Sequence, residues 1–344
     1  MINEIGTPAM LELLAEESAE LTQAALKMAR KIREENPTPK TYTECRANLI
    51  EEYSDVIHKI CRARKVAYEI RVSTAPGECT RLAREAAQSG EEVRIYACGG
   101  DGTLQEVAAG AAGFSNAAVT VFSGGSGNDF VKLFDDPKAF FQLERLLDAE
   151  EVTFDMIRCN DDLALNICSV GLDARIAADV SRYKRIPLFQ GFRAYLASTA
   201  VNLMKGISEP YVVEVNGEKF DGERTFVCVC NGRYYGGGFN PIPEADPTDG
   251  MLDVLLVDKV NLLQVPGLIG KYKDGLYKQI SHVARYMKTN CVKVFSQNPT
   301  AVNLDGETRF AKEVVMKLAE EKLRFFYPKG LHWKNTEKEL QTAK

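Results

Sequence analysis

Two glycine-rich runs carry the most suggestive chemistry in the chain. Cys98-Gly99-Gly100-Asp101-Gly102-Thr103 follows an apolar run, Val93–Cys98, and opens a helical stretch from about Leu104 to Ala112. Ser123-Gly124-Gly125-Ser126-Gly127-Asn128-Asp129 follows the next apolar run, Ala117–Phe122. Glycine permits close backbone approach and positive φ. Where such a run opens a helix, backbone N–H groups and the helix dipole favour an anion, and phosphate is the obvious guest. The plainer reading is a strand-to-helix turn. Neither run has the Gly-Lys-Ser/Thr ending of a Walker loop or the GxGxxG dinucleotide fingerprint.

Acidic residues offer further candidates. Asp305-Gly306-Glu307 reads by itself as a β-turn, as does Pro247-Thr248-Asp249-Gly250. Near the N-terminus, Glu17/Glu20 and Glu52/Asp55 are i,i+3 pairs on two successive helices, so each pair shares a face. Four such carboxylates could hold Mg²⁺, which prefers oxygen ligands. Two solvated acidic faces are the competing reading. Cys228 and Cys230 point the same way from an apolar strand; with no His or Cys near in sequence, buried strand residues fit better than a metal pair.

These residues need elements to position them. Apolar spacing predicts helices over 10–35 and 42–64, separated by Asn36-Pro37-Thr38-Pro39. A strand is expected at Val66–Ser73, a helix at 78–89, then strand and helix alternately through 148, which implies βαβ units and a parallel sheet. After about 151 strand-like runs dominate: 152–159, 163–170, 211–215, 225–231, 251–257, 291–296 and 314–327. Asn216-Gly217 signals a hairpin, and helical inserts fall near 190–206 and 261–286. The expected fold is therefore α/β: a two-helix segment (1–64), a βαβ domain with a parallel sheet (65–150), and a mostly antiparallel β domain (151–330), with a tail at 331–344. Two glycine loops after consecutive parallel strands would lie at the carboxyl edge of the sheet, where such folds bind ligands.

The pattern resembles a known family. Gly99–Thr103 is similar to the GGDGT signature of the superfamily that includes diacylglycerol, sphingoid and ceramide kinases and, more distantly, NAD kinases and phosphofructokinases. Gly125-Ser126-Gly127-Asn128-Asp129 resembles the G-T/S-G-N-D motif that separates lipid kinases from NAD kinases. Ser169-Val170-Gly171-Leu172-Asp173-Ala174 resembles the family's G-x-D-A segment. Tyr235–Phe239, Pro243–Asp246 and Asp249–Asp253 resemble its GGG…P-x-A…DGxLDV block, and Leu304–Glu307 its C-terminal DGE. The resemblance implies an ATP-dependent lipid kinase, with diacylglycerol the default acceptor and a sphingoid base or phosphatidylglycerol the alternatives. It places ATP on Thr74, Gly99, Gly100, Asp101, Gly102, Thr103, Leu104, Gln105, Gly125 and Ser126, with Gly127, Asn128 and Asp129 holding the second loop. It makes Asp305 the general base and gives Glu307 and Asp101 an acidic network orienting Mg²⁺ and water. It also suggests a structural metal at Asp249 with the carbonyls of Asp246 and Met251.

The N-terminus departs from that family. Its usual first strand, ending in an Asn-Pro-x-Ser-Gly loop, has no counterpart, and the motif match begins near Lys65. The acidic helices resemble part of a MazG-type nucleotide pyrophosphohydrolase, which leaves a hydrolase or a catalytically impaired binding protein as rival readings.

Composition narrows the classes. The 344 residues are 45% hydrophobic and 26% charged, an ordinary globular balance, and a net charge of −5 argues against a nucleic-acid partner. No apolar run reaches the roughly 18 residues that span a bilayer. Nine cysteines without CxxC spacing suit reduced thiols, and no secretory signal is visible. The expectation is a cytoplasmic protein that meets the inner membrane peripherally, with a homodimer allowed. Leu188, Phe189, Phe192, Tyr195 and Leu196, beside Arg185, Arg193 and Lys205, could form a membrane-facing helix over 186–206, though an ordinary packed helix is the stronger reading.

Overall fold

The computed structural model describes residues 41–125, 127–183, 198, 201–203 and 206–332. The expected helix at 10–35, Glu17, Glu20, Ser126 and the apolar residues named in the 186–206 insert lie outside the described residues. The chain divides into two compact units, residues 1–73 with 184–193, and residues 74–183 with 194–344.

In the first unit, helix α1 (Tyr42–Arg64) starts with a capping box, in which Thr41 and Glu44 satisfy each other's orphan amides. It stops at Lys65 in the left-handed conformation, where the Lys65 and Val66 amides return to the Cys61 carbonyl. Glu52 and Asp55 lie on this helix. The strand expected at 66–73 is not formed. Val66, Tyr68 and Val72 are exposed, and Tyr68 turns back to meet His58 of α1 by ring contact and hydrogen bond. β-branched residues favour a strand only where a neighbouring strand offers a ladder, and none pairs with this segment among the described residues.

The second unit begins with α2 (Glu78–Ala87), β1 (Val93–Gly99), α3 (Asp101–Ala111), β2 (Ala117–Ser123), two 3₁₀ turns (Phe130–Leu133, Pro137–Phe141), a short α4 (Leu143–Leu147) and β3 (Ala149–Phe154). Then come β4 (Ile157–Cys159), β5 (Asp162–Ala164), β6 (Ile167–Gly171), α5 (Leu172–Tyr183), β7 (Glu209–Val215), β8 (Glu218–Cys230) and β9 (Leu252–Asp258). The chain finishes with α6 (Val265–Lys273), a 3₁₀ turn (Tyr277–Ile280), β10 (Ala284–Thr289), β11 (Cys291–Leu304), β12 (Glu307–Leu318) and β13 (Leu323–Pro328).

Two sheets result. The smaller has the order β1-β2-β13-β3, with β1, β2 and β13 parallel and β3 antiparallel. β2 is buried along its whole length, as a central parallel strand covered on both faces should be. β1 is the edge strand among the described residues. Phe325 of β13 anchors the layer beneath, touching Phe130, Phe134, Phe140 and Phe154. The larger sheet is antiparallel, in the order β10-β9-β8-β6-β11-β12-β4-β5, with β7 paired to β8 and β11. Asn216-Gly217 forms the expected β7–β8 hairpin turn, both residues at positive φ.

Several strand runs divide differently from the sequence reading. The runs 152–159 and 314–327 each break into two strands in different sheets, β3/β4 and β12/β13. These breaks are the two crossings between sheets, and they are tied together. Lys322 pairs with the buried Asp155, the Ala319 amide donates to the Met156 carbonyl at 2.8 Å, and the other Asp155 oxygen accepts the Gly250 amide at 2.8 Å. The helical insert expected near 261–286 holds α6 and a 3₁₀ turn and ends in β10. All nine cysteines are free; Cys228 and Cys230 are buried on β8 with sulfurs 3.6 Å apart, and burial pushes the Cys230 thiol up.

Candidate active site

β1 and β2 end side by side, Gly99 in register with Ser123, so both glycine loops leave the sheet at one edge. They are packed on each other. The Gly124 amide donates to the Gly99 carbonyl at 2.8 Å, and a Cβ on Gly125 would stand 2.5 Å from the Gly100 Cα. A Cβ on Gly99 would strike the Thr103 hydroxyl at 2.3 Å. Neither Gly99, Gly100, Gly102, Gly125 nor Gly127 has positive φ, so close approach is what requires glycine at 99, 100 and 125. Gly102 faces open space.

The loops are pinned by side chains. Asn128, itself at φ 45°, donates to the Gly125 carbonyl at 2.8 Å and accepts the Gly125 amide at 3.2 Å. Asp101 accepts the amides of Asp129 (2.7 Å) and Phe130 (3.1 Å) through one oxygen. Burial, with Asp129 nearby, raises its pKa. Asp129 pairs with Lys132 and accepts the Gly237 amide at 2.7 Å, joining the second loop to the turn Tyr235–Phe239 of the larger sheet. In that turn Gly236, Gly237 and Gly238 all have positive φ.

Asp305 sits at the tip of the β11–β12 hairpin with Gly306, both at positive φ, so the residue is at once a turn and a candidate base. Its carboxylate accepts three consecutive amides: Leu165 (2.7 Å), Asn166 (3.0 Å) and Ile167 (2.6 Å). Burial outweighs those amides and raises its pKa to about 6, with the Asp101 charge adding a smaller push in the same direction. Gln105 of α3 braces this cage: its amide donates to the Leu163 carbonyl at 2.5 Å and its carbonyl accepts the Leu165 amide at 3.0 Å. Asn166 also donates to the Tyr234 carbonyl at 2.6 Å.

Other expected site residues are placed differently. Glu307 is exposed, with Arg309 at 3.8 Å. Leu104 is buried, and its amide is spent on the Gly100 carbonyl. Thr74 gives both its amide and its hydroxyl to Glu78. Asp246 accepts from Thr248, while Asp249 accepts the Met251 amide at 2.9 Å and pairs with Lys288. Sequence reading missed Asn166, Lys132 and the structural work of Gln105. Asn166 lies 139 residues from Asp305, a partnership that no local spacing announces.

Comparison with known proteins identifies the family. The diacylglycerol kinase catalytic domain model matches residues 46–159, and a C-terminal NAD kinase β-sandwich-like domain model of the YegS type matches 166–326. The chain belongs to the diacylglycerol kinase and lipid kinase family. The first match begins inside α1, earlier than the motifs reach. A putative lipid kinase of Staphylococcus carnosus is 26% identical over 75% of this chain and 85% of its own length. A probable YegS-like lipid kinase of Xanthomonas axonopodis pv. citri is 29% identical over 78% and 89%. A putative diacylglycerol kinase structure from Bacillus anthracis shares the fold, with a TM-score of 0.58 at 21% identity over 76% of this chain and 86% of that one.

Family membership implies ATP as phosphate donor, and the loops suit its phosphates. α3 has no side-chain cap at its N-terminus, and Gly102 in its first turn meets nothing. The amides of that turn are therefore available to an anion. A divalent ion carried by ATP needs one or two carboxylates besides the phosphates, and the second Asp101 oxygen accepts no hydrogen bond among the described residues. The Asp249 turn fits a metal poorly, because the Lys288 ammonium already neutralises its carboxylate. Among the described residues no group of three acidic, histidine or cysteine side chains could hold a metal ion.

Proposed function

We propose that this family member transfers the γ-phosphate of ATP to the hydroxyl of a membrane lipid, diacylglycerol being the acceptor and phosphatidic acid the product. The observation that carries the reading is the Asp305 carboxylate, held near pKa 6 by burial and braced through Gln105 to the helix that opens from the first glycine loop. A base with a pKa just below the working pH is mostly ionised and still strong enough to take a proton in the transition state.

In this scheme the amides opening α3 hold the ATP phosphates, and Asp101 would hold a Mg²⁺ accompanying ATP, which would neutralise phosphate charge. The acceptor hydroxyl gives its proton to Asp305 as its oxygen bonds to the γ-phosphorus. The bond from that phosphorus to the β,γ-bridging oxygen breaks, and ADP leaves. Catalysis of this kind rests on positioning and charge neutralisation. Diacylglycerol as the acceptor is supported by the match of residues 46–159 to the diacylglycerol kinase catalytic domain model.

The test is labelled ATP and Mg²⁺ with mixed micelles of diacylglycerol, a sphingoid base or phosphatidylglycerol, followed by lipid extraction. Label in phosphatidic acid, lost in Asp305→Asn, supports the proposal. Label confined to another lipid changes the acceptor, and no label in any lipid refutes the function.

A further inference from the structure

An enzyme whose acceptor lies in a bilayer needs a surface that meets lipid, and on the function proposed above one element fits. The turn before α6 exposes Leu262 (53%) and Leu263 (93%), and α6 itself exposes Ile269 (39%). Pro266, Ile269 and Lys273 fall at i, i+3 and i+7 on the outward face, while Val265, Leu268 and Tyr272 pack inward. Leu263 is the most exposed large apolar side chain among the described residues.

Charge points to the occupant. From Lys259 to Lys278 the segment holds four lysines (259, 271, 273, 278) and one acid, Asp274, a local +3 in a chain of net −5. Lys259 and Lys278 are engaged by Glu223 and Glu244, whereas Lys271 and Lys273 form no ion pair among the described residues. An apolar tip flanked by lysines matches an anionic bilayer, which takes the leucines into its interface and draws the ammonium groups to its headgroups.

The element also lies a short chain of contacts from the site. Tyr272 bonds through its hydroxyl to Tyr235 at 2.8 Å and packs on Phe239. These two residues close the turn whose Gly237 amide is held by Asp129 of the second glycine loop. We infer that Leu262, Leu263 and the outward face of α6, with Lys271 and Lys273, form the surface by which the protein docks on anionic membranes.

The test is co-sedimentation of the full-length protein with phosphatidylcholine vesicles made with and without phosphatidylglycerol. The wild type is compared with Leu262→Ser/Leu263→Ser and Lys271→Gln/Lys273→Gln, with thermal melts checking that all three fold. The wild type should bind the anionic vesicles more tightly and lose binding with salt. The leucine pair should lose about tenfold or more in partitioning, from the apolar area no longer buried. The lysine pair should lose about tenfold and most of the preference for anionic lipid. Phosphorylation of a dispersed short-chain acceptor should stay unchanged in both variants while that of vesicle-borne acceptor falls. Binding of both variants like the wild type, or no vesicle binding by the wild type, would overturn the inference. So would a leucine variant that turns a dimer into a monomer, which would assign the patch to a second copy of the chain. Docking that disappears in the variants, in a protein that phosphorylates no lipid, would leave the surface standing and refute the proposed reaction instead.

Discussion

Asp305 is the residue whose environment makes the sharpest claim. Its pKa of about 6 means that kcat/KM for lipid phosphorylation should rise with pH up to about 6 and level off above it, falling about tenfold per unit below. Asp305→Asn should flatten that limb and lower the rate by about 10²–10⁴-fold. The same raised value has a stability consequence of opposite sense to the usual salt-bridged carboxylate. The folded state holds this proton more tightly than the unfolded chain does, so stability tied to Asp305 is fullest below about pH 4 and is lost as pH rises toward 6. A denaturant series across that range in the wild type and Asp305→Asn checks the sign. Among the glycines, Gly125→Ala should destabilise by about 1–3 kcal/mol, because its Cβ would meet the Gly100 backbone. Gly102→Ala should leave the melting temperature nearly unchanged and raise KM for ATP, since its methyl would project into the open space offered to phosphate. Equal melting shifts in the two variants would contradict this division.

At the scale of elements, α3 does two jobs. On the proposed function its N-terminus offers amides to phosphate, and one turn later Gln105 braces the 163–165 backbone beside Asp305. Gln105→Ala should therefore cost about 1–3 kcal/mol, the range for leaving buried backbone groups unpaired, and should lower kcat with little change in KM for ATP. A variant that raises KM alone would show that Gln105 touches nucleotide instead. The sequence showed α3 and its loop plainly, because glycines between an apolar strand and a helix are a local signal. It did not show which face of α3 meets Asp305, since that depends on a strand pair far along the chain. The region 66–73 shows the reverse limit. Its composition favours a strand, and its neighbours decide against one.

Across the molecule, the two sheets are joined by two crossings, and Asp155 with Lys322 ties them. Asp155 is 4% exposed, so Lys322→Met would leave a buried carboxylate with only the Gly250 amide for compensation. Because Lys322 is itself partly exposed, a loss of about 1–3 kcal/mol is expected, less than for a fully buried pair; urea unfolding followed by tyrosine fluorescence measures it. Lys288→Met should similarly destabilise the 246–251 turn, and Mg²⁺ should restore part of the loss if the freed Asp249 can then take a cation. By itself the sequence determined the family, the two glycine loops, the hairpin at Asn216-Gly217 and the turn at Asp305-Gly306, because each is written in a few adjacent residues whose backbone demands are local. Only the tertiary structure decided that Glu307 stands in solvent, that Lys288 sits on Asp249, and that 152–159 and 314–327 divide between sheets. The reason is physical. An apolar strand carries no mark of which neighbour it will pair with, and a side chain's partner is set by the register of strands brought together from distant parts of the chain.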